Sequence, residues 1–88
     1  MATEEEKIAV WKKGNNLRKE GNYFYCEDSL GNTIRYDAHD NTNDVEGWEI
    51  DHIKPTSKGG LDTLANKQPL QWQANRKKAD KDYEDMIF

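Results

Sequence analysis

Residues 48–53, Trp48-Glu49-Ile50-Asp51-His52-Ile53, alternate apolar and polar side chains, and Pro55 stops the run. Period-two alternation marks a strand with one buried face, with Trp48, Ile50 and His52 on one side and Glu49, Asp51 and Ile53 on the other. Such a strand cannot stand alone; it needs a partner and something to cover it. Gly59-Gly60 marks a turn, and Asp62 is placed to cap a short turn through Leu64. Lys67-Gln68-Pro69-Leu70 reads as a second strand, with Pro69 admissible at an edge. Beyond it Trp72, Ala79, Tyr83 and Met86 recur at helical intervals, with Asn75 in the same stripe. The predicted order is strand, long loop, strand, helix.

The chain upstream reads as support for this unit. Thr3 followed by Glu4, Glu5 and Glu6 is a helix start, Ile8, Val10 and Trp11 give it a short apolar face, Lys12 and Lys13 suit its last turn, and Gly14 its stop. Residues 15–22 read as loop. Tyr23–Glu27 and residues 33–36 are predicted to form a short β-hairpin across residues 29–32. Residues 37–47 are polar and acidic and read as an exposed connection, with His39 a surface residue.

With 88 residues, 34% hydrophobic and 34% charged, the chain is predicted to form one small domain over residues 1–88 around a thin core of Trp48, Ile50, Leu64, Leu70, Trp72 and the N-terminal aromatics. No stretch approaches the ~20 apolar residues of a membrane span. The acidic start does not read as a secretory signal, which needs a basic end. The one cysteine, Cys26, allows no internal disulfide and no four-ligand structural zinc site built on cysteine pairs. The expected compartment is a reducing cytoplasm.

The formal net charge of −4 alone argues mildly against nucleic acid. It is an average over two unlike parts. Residues 1–50 carry six basic and eleven acidic side chains, whereas residues 53–78 carry Lys54, Lys58, Lys67, Arg76, Lys77 and Lys78 against Asp62 alone. A local basic segment matters more for phosphate contact than the total.

Folding the helix back on the two strands brings the Asp51 carboxylate, the His52 imidazole, the Asn75 amide and the Lys78 ammonium towards one edge, given a backbone bend after His52. These groups suit phosphodiester hydrolysis. A divalent ion on carboxylate and amide oxygens polarises a phosphate. A neutral imidazole, with a reference pKa of about 6.5, takes a proton from water near neutral pH, and a nearby cation offsets phosphate charge.

The run from Asp51-His52, through Pro55, Ser57-Lys58-Gly59-Gly60, Asp62, Asn66 and Gln68-Pro69-Leu70, to Asn75-Arg76-Lys77-Lys78 closely resembles the HNH endonuclease motif over residues 48–78. Residues 9–14 and 47–49 resemble the flanks of small stand-alone HNH proteins of bacteria and phages. The resemblance implies an α+β fold, a small ββα-metal (HNH) finger over residues 47–80 with an N-terminal helix and an additional short β-hairpin. It implies His52 as general base, Asn66 as the residue pinning the long loop, Asp51 and Asn75 as metal ligands, and Lys78, Arg76, Lys77 and Lys58 as contacts to nucleic acid. It implies one divalent cation, Mg²⁺ or Mn²⁺ ahead of other transition metals, and DNA as partner; the sequence shows no clear dimerisation face and leaves the oligomeric state, monomer or weak dimer, open.

The sequence departs from the family pattern in three ways. The last motif letter is Asn75 rather than His, an amide oxygen suiting a hard cation. Lys67 stands where an apolar residue is usual, which is expected to weaken the second strand's packing. The paired zinc cysteines of many relatives are absent, so no structural zinc is expected. Glu49 is read as an exposed strand residue rather than a further ligand. The alternatives are a non-catalytic or assembly-dependent nucleic-acid-binding module of the same fold, and a small acidic interaction domain on an inherited scaffold.

Overall fold

Thr3 begins the first helix as its hydroxyl predicts, in a computed structural model that describes residues 2–79 and 81. Its Oγ1 accepts the Glu6 amide at 3.1 Å, Glu4, Glu5 and Glu6 occupy the positive end of the dipole, and helix α1 runs Glu4–Trp11. The helix stops just before Lys12 and Lys13, the lysines expected in its last turn, and it buries Val10 and Trp11.

Residues 15–20, read as loop, instead form strand β1, Asn15–Glu20. Gly21-Asn22 is a two-residue turn between the paired residues Glu20 and Tyr23, and Gly21 has φ +63°, a left-handed conformation that costs glycine nothing. The turn folds β1 back on β2, Tyr23–Glu27. Almost every side chain of β1 is exposed and its register shifts between Asn15 and Arg18, so the sequence carries no alternation. Arg18 ties the ladder, 2.6 Å from Glu20 and 2.6 Å from Glu27, and holds the Glu27 carboxyl below its ordinary range. Strand β3, Thr33–Arg35, completes a three-stranded antiparallel sheet in the order β1-β2-β3.

The core is a cluster of Val10, Trp11, Cys26, Ile34 and Trp48, with Tyr36 and Ile50 packed against it. Leu70 is also fully buried, but Leu64 is 48% exposed and the Tyr23 and Phe24 rings are half exposed. The predicted core is therefore corrected: the outward-facing aromatics of β2 give way to Cys26 and Ile34, paired across β2 and β3. Burial, reinforced by Glu27 and Asp28, pushes the Cys26 thiol up to about 12, which leaves it an inert packing group. Tyr36 leaves the sheet for a 3₁₀ turn, Tyr36–Ala38, stacks edge-on against Trp11 at 5.3 Å, and donates its hydroxyl to Glu4 at 2.7 Å.

Residues 37–47 are more than an exposed connection. Ala38 and Gly47 are buried, and Arg35 holds the segment through Asp37, Asp44 at 2.6 Å and Glu46 at 2.8 Å. The Glu46 amide and Arg35 both lower the Asp44 carboxyl's pKa. His39 pairs in parallel with Trp48, and the Asp40 amide donates to the Trp48 carbonyl at 2.8 Å.

Strands β4, Trp48–His52, and β5, Lys67–Gln71, form a separate antiparallel ladder, with Ile50 opposite Pro69, Asp51 opposite Gln68 and His52 opposite Lys67. Helix α2, Trp72–Lys78, follows directly, capped by the Gln71 side chain on the Ala74 amide. Trp72 is only half-buried, its indole donating to the Asp44 carbonyl at 2.8 Å. Tyr83 and Met86, predicted to extend its stripe, lie outside the described residues. Asp28, 1% exposed, joins the two sheets: one oxygen accepts the Leu30 and Asn32 amides, the other the Asn32 side chain and, at 2.9 Å, the Gln71 amide. Among the described residues the fold is two helices and two small antiparallel sheets, an α+β arrangement of ββα HNH type. No helix is long and apolar enough to cross a membrane among those residues.

Asp28→Ala strands several amides, one of them on β5, and is expected to lower unfolding free energy by roughly 2–4 kcal/mol in a urea titration. The Glu27 and Asp44 carboxyls have depressed folded-state pKa values, so the stability they add is whole above about pH 4–5 and is lost as pH falls through the lower values. Thermal melts between about pH 5 and pH 2 are expected to fall more steeply for the wild type than for Arg18→Met.

Candidate active site

The end of β4 and the inner face of α2 meet at Asp51 and Lys78. Asp51 is 5% exposed; its carboxylate accepts Gln68 Nε2 at 2.9 Å and lies 3.1 Å from Lys78 Nζ. Lys78, 1% exposed, also donates to the His52 carbonyl at 2.8 Å. A buried carboxylate without a counter-charge is strongly unfavourable, so this pair fixes α2 against β4.

His52 closes β4, where the chain bends, and its side chain is about a third exposed (32%). Its Nε2 lies 2.8 Å from Asp62 Oδ1. Asp62 does not cap the turn Leu64–Asn66, as predicted; Thr63 precedes that turn with no side-chain cap, and the Asp62 carboxylate is spent on His52 and on Lys67 Nζ at 3.0 Å. The hydrogen bonds from His52 and then Lys67 hold the Asp62 carboxyl below its ordinary range. Lys67 also reaches Glu6 of α1 at 2.6 Å. The expectation that Lys67 weakens β5 is thus corrected: all five residues of β5 are buried, and the ammonium is neutralised by two carboxylates.

Asn66 organises the long loop. Its Oδ1 accepts the Lys54 amide at 2.9 Å, and its Nδ2 donates to the Lys54 carbonyl at 2.9 Å and the Leu61 carbonyl at 2.8 Å. Its own carbonyl accepts the Ile53 amide. Gly60 lets the loop close, since a Cβ there would lie 1.9 Å from the Lys54 carbonyl oxygen.

Asn75 donates to Glu49 at 2.9 Å, and Arg76 pairs with the same carboxylate at 2.8 Å. Glu49, read as an exposed strand residue, has a side chain only 16% exposed. Burial raises its carboxyl's pKa, but Arg76 and Asn75 outweigh burial and hold it low. His39, read as a surface residue, is likewise corrected: its ring packs 4.7 Å from Trp48 with 17% of the side chain exposed, and burial, outweighing Asp40, lowers its pKa.

Two open clefts meet here. One, of about 290 Å³, is lined by Asp51, His52, Asn75 and Lys78 with Ile50 and the start of the long loop. The other, of about 520 Å³, is lined by His39, Glu49, His52, Asp62 and Asn75 among others. His52 and Asn75 border both. The structure thus brings Asp51, His52, Asn75 and Lys78 together, with Asn66 behind the loop. The remaining basic candidates are dispersed: Arg76 is bound to Glu49, Lys77 lines a separate cleft beside Gln73, and Lys58 is exposed at the end of the turn Thr56–Lys58.

Among the described residues no group of three or more His, Cys, Asp and Glu side chains forms a metal-holding cluster. Beside the His52 imidazole, the smaller cleft is bordered by the Asp51 carboxylate, whose two oxygens face Lys78 and Gln68, and by the Asn75 amide, whose Oδ1 accepts no hydrogen bond among the described residues. Such a sparse, hard set fits a divalent cation that keeps most of its waters and takes phosphate oxygens. Sequence reasoning overlooked Asp62, Lys67, Glu6 and Gln68 as site residues. Asp62 and Gln68 lie within the motif, but their partners come from tertiary packing, and Glu6 is forty-six positions before His52.

Two antiparallel strands joined by an asparagine-pinned loop and followed at once by a helix define a ββα nuclease-type unit. Residues 31–82 match the HNH endonuclease family, more than half of the chain, and the protein belongs to that family. Its members are nucleases acting on nucleic acids, and they generally use a divalent metal. No curated protein and no solved structure matches the chain.

Asn66→Ala removes three side-chain hydrogen bonds and is expected to cost about 1–3 kcal/mol, with faster hydrogen exchange at the Lys54 amide than at the β4 amides.

Proposed function

We propose that this protein is a divalent-metal-dependent endonuclease that hydrolyses DNA phosphodiester bonds, with His52 as the general base. The observation that carries the reading is the gathering of Asp51, His52 and Asn75 around one cleft within the family-matched segment. The smaller cleft is open and bordered by oxygen donors, an imidazole and hydroxyls, which suits a phosphate ester with its hydration.

In this reading Asp51 and Asn75 hold the cation through a carboxylate and an amide oxygen. The chemistry such a cation would supply when bound is polarisation of the phosphate and stabilisation of the leaving oxygen. His52 accepts a proton from the attacking water. Asn66 fixes the loop that follows His52 and so limits the imidazole's excursions, which matters because misplacement of about 1 Å costs about a hundredfold in rate. Lys78 aligns the Asp51 carboxylate and the His52 backbone rather than reaching outward. Phosphate contacts then fall to the exposed Lys54, Lys58 and Lys77, with Arg76 able to contribute only by leaving Glu49.

That shortage of free cations favours one second reading, a nucleic-acid-binding module that turns over only within a larger assembly. So few exposed cations within residues 53–78 give a shallow salt dependence and weak binding on their own.

Supercoiled plasmid incubated with Mg²⁺ or Mn²⁺ separates the two. The wild type is expected to nick it, and His52→Ala to lose about 10²–10⁴-fold in rate with unchanged circular dichroism and melting. Equal relaxation by both proteins contradicts the assignment of His52. A salt-sensitive gel shift without nicking under any metal favours the binding module.

A further inference from the structure

We propose that Asp62, held in place by Lys67 and through it by Glu6 of the N-terminal helix, is a positioning residue that orients the His52 ring and fixes which nitrogen accepts the proton. The inference rests on the reading of His52 as general base and adds to it a residue, a tautomer and a role for α1.

The contacts form one continuous line. Glu6 Oε2 lies 2.6 Å from Lys67 Nζ, Lys67 Nζ lies 3.0 Å from Asp62 Oδ1, and the same oxygen lies 2.8 Å from His52 Nε2. Asp62 alone is poorly suited to hold anything, because its side chain is 74% exposed. Lys67 supplies the missing rigidity: only 7% of its side chain is exposed, and both its carboxylate partners converge on one ammonium. Lys13, just after α1, donates to the carbonyls of Leu64 and Lys67 and fastens the helix end to the same segment. Lys67 also stands opposite His52 in the β4–β5 ladder, so its place relative to the imidazole is set by backbone pairing.

The chemistry follows from what each group can do. An ionised carboxylate only accepts hydrogen bonds, so the nitrogen facing Asp62 carries the hydrogen. A neutral imidazole has one N–H, and with Nε2 so committed, Nδ1 is left as the acceptor. Asp62 therefore sets the tautomer, and Nδ1 is the nitrogen that takes the proton. The position of α1 explains why an acidic helix start lies so close to a nuclease site. Residues 4–11 fall outside the family-matched segment, yet Glu6 is the far anchor of this line.

The pair is exposed, so it adds little to stability, and loss of Asp62 is expected to leave the melting temperature within about 5 °C of wild type. This keeps a positioning role separable from a structural one. The experiment is imidazole ¹⁵N NMR on the metal-free full chain, where only two histidines need assignment, together with plasmid nicking. Wild type is expected to hold His52 as the Nε2–H tautomer. Asp62→Ala is expected to give mixed tautomers and at least a tenfold lower kcat with KM unchanged, and Asp62→Glu to restore part of both. Glu6→Gln is expected to move the His52 resonances in the same direction, by less.

An Nδ1–H tautomer in wild type, or identical His52 resonances in wild type and Asp62→Ala, overturns the proposal whatever the nicking assay shows. Wild-type nicking that Asp62→Ala matches in rate overturns it while leaving His52 as base. His52 resonances blind to Glu6→Gln remove α1 from the line. A protein that shows the tautomer response but nicks under no metal retains the orienting contact and defeats the nuclease reading instead.

Discussion

Lys78 reaches into the protein to meet Asp51 and the His52 carbonyl, and the site depends on that contact. It joins the last turn of α2 to the end of β4, the two elements that carry the amide and the imidazole. Both side chains are almost wholly buried, a setting in which removing either partner leaves a charge that typically costs about 3–5 kcal/mol. The pair also explains how Asp51 tolerates burial: the ammonium supplies counter-charge and the Gln68 amide a hydrogen bond. The Asp51 carboxylate is therefore held in one orientation, on a strand whose register β5 fixes.

Much of this unit was legible in the sequence because it is locally written. The alternation through Trp48 and Ile50, the stop at Pro55 and the glycine turn each belong to a few neighbouring residues. What could not be read depends on partners far along the chain. Asn15–Glu20 lacks a strand pattern because neither of its faces is well buried, and pairing with β2 alone makes it a strand. Lys67 looks misplaced until Glu6 and Asp62 converge on it. Glu49 looks exposed until α2 folds over it with Asn75 and Arg76, and His39 looks idle until it lies against Trp48. In each case a charged or polar residue takes its role from tertiary neighbours that periodicity does not reveal.

Charge tells a similar story. The basic segment from residue 53 to 78 suggests a broad phosphate-binding face, but Lys67 and Lys78 are buried in ion pairs and Arg76 is bound to Glu49. Half of the positive charge therefore builds the site rather than coating it. The remainder is modest for a protein with a formal charge of −4. Under the proposed function, nucleic-acid binding would rest on the cleft more than on surface attraction and would weaken as salt rises.

The most direct test of the account is a titration of the metal-free protein with Mn²⁺, followed by paramagnetic broadening of backbone amide resonances and repeated with diamagnetic Mg²⁺. Broadening centred on residues 51, 52 and 75, with matching shifts under Mg²⁺, is the predicted result. Broadening centred instead on the carboxylates around Arg35, with residues 51, 52 and 75 unmoved, contradicts the account at its base.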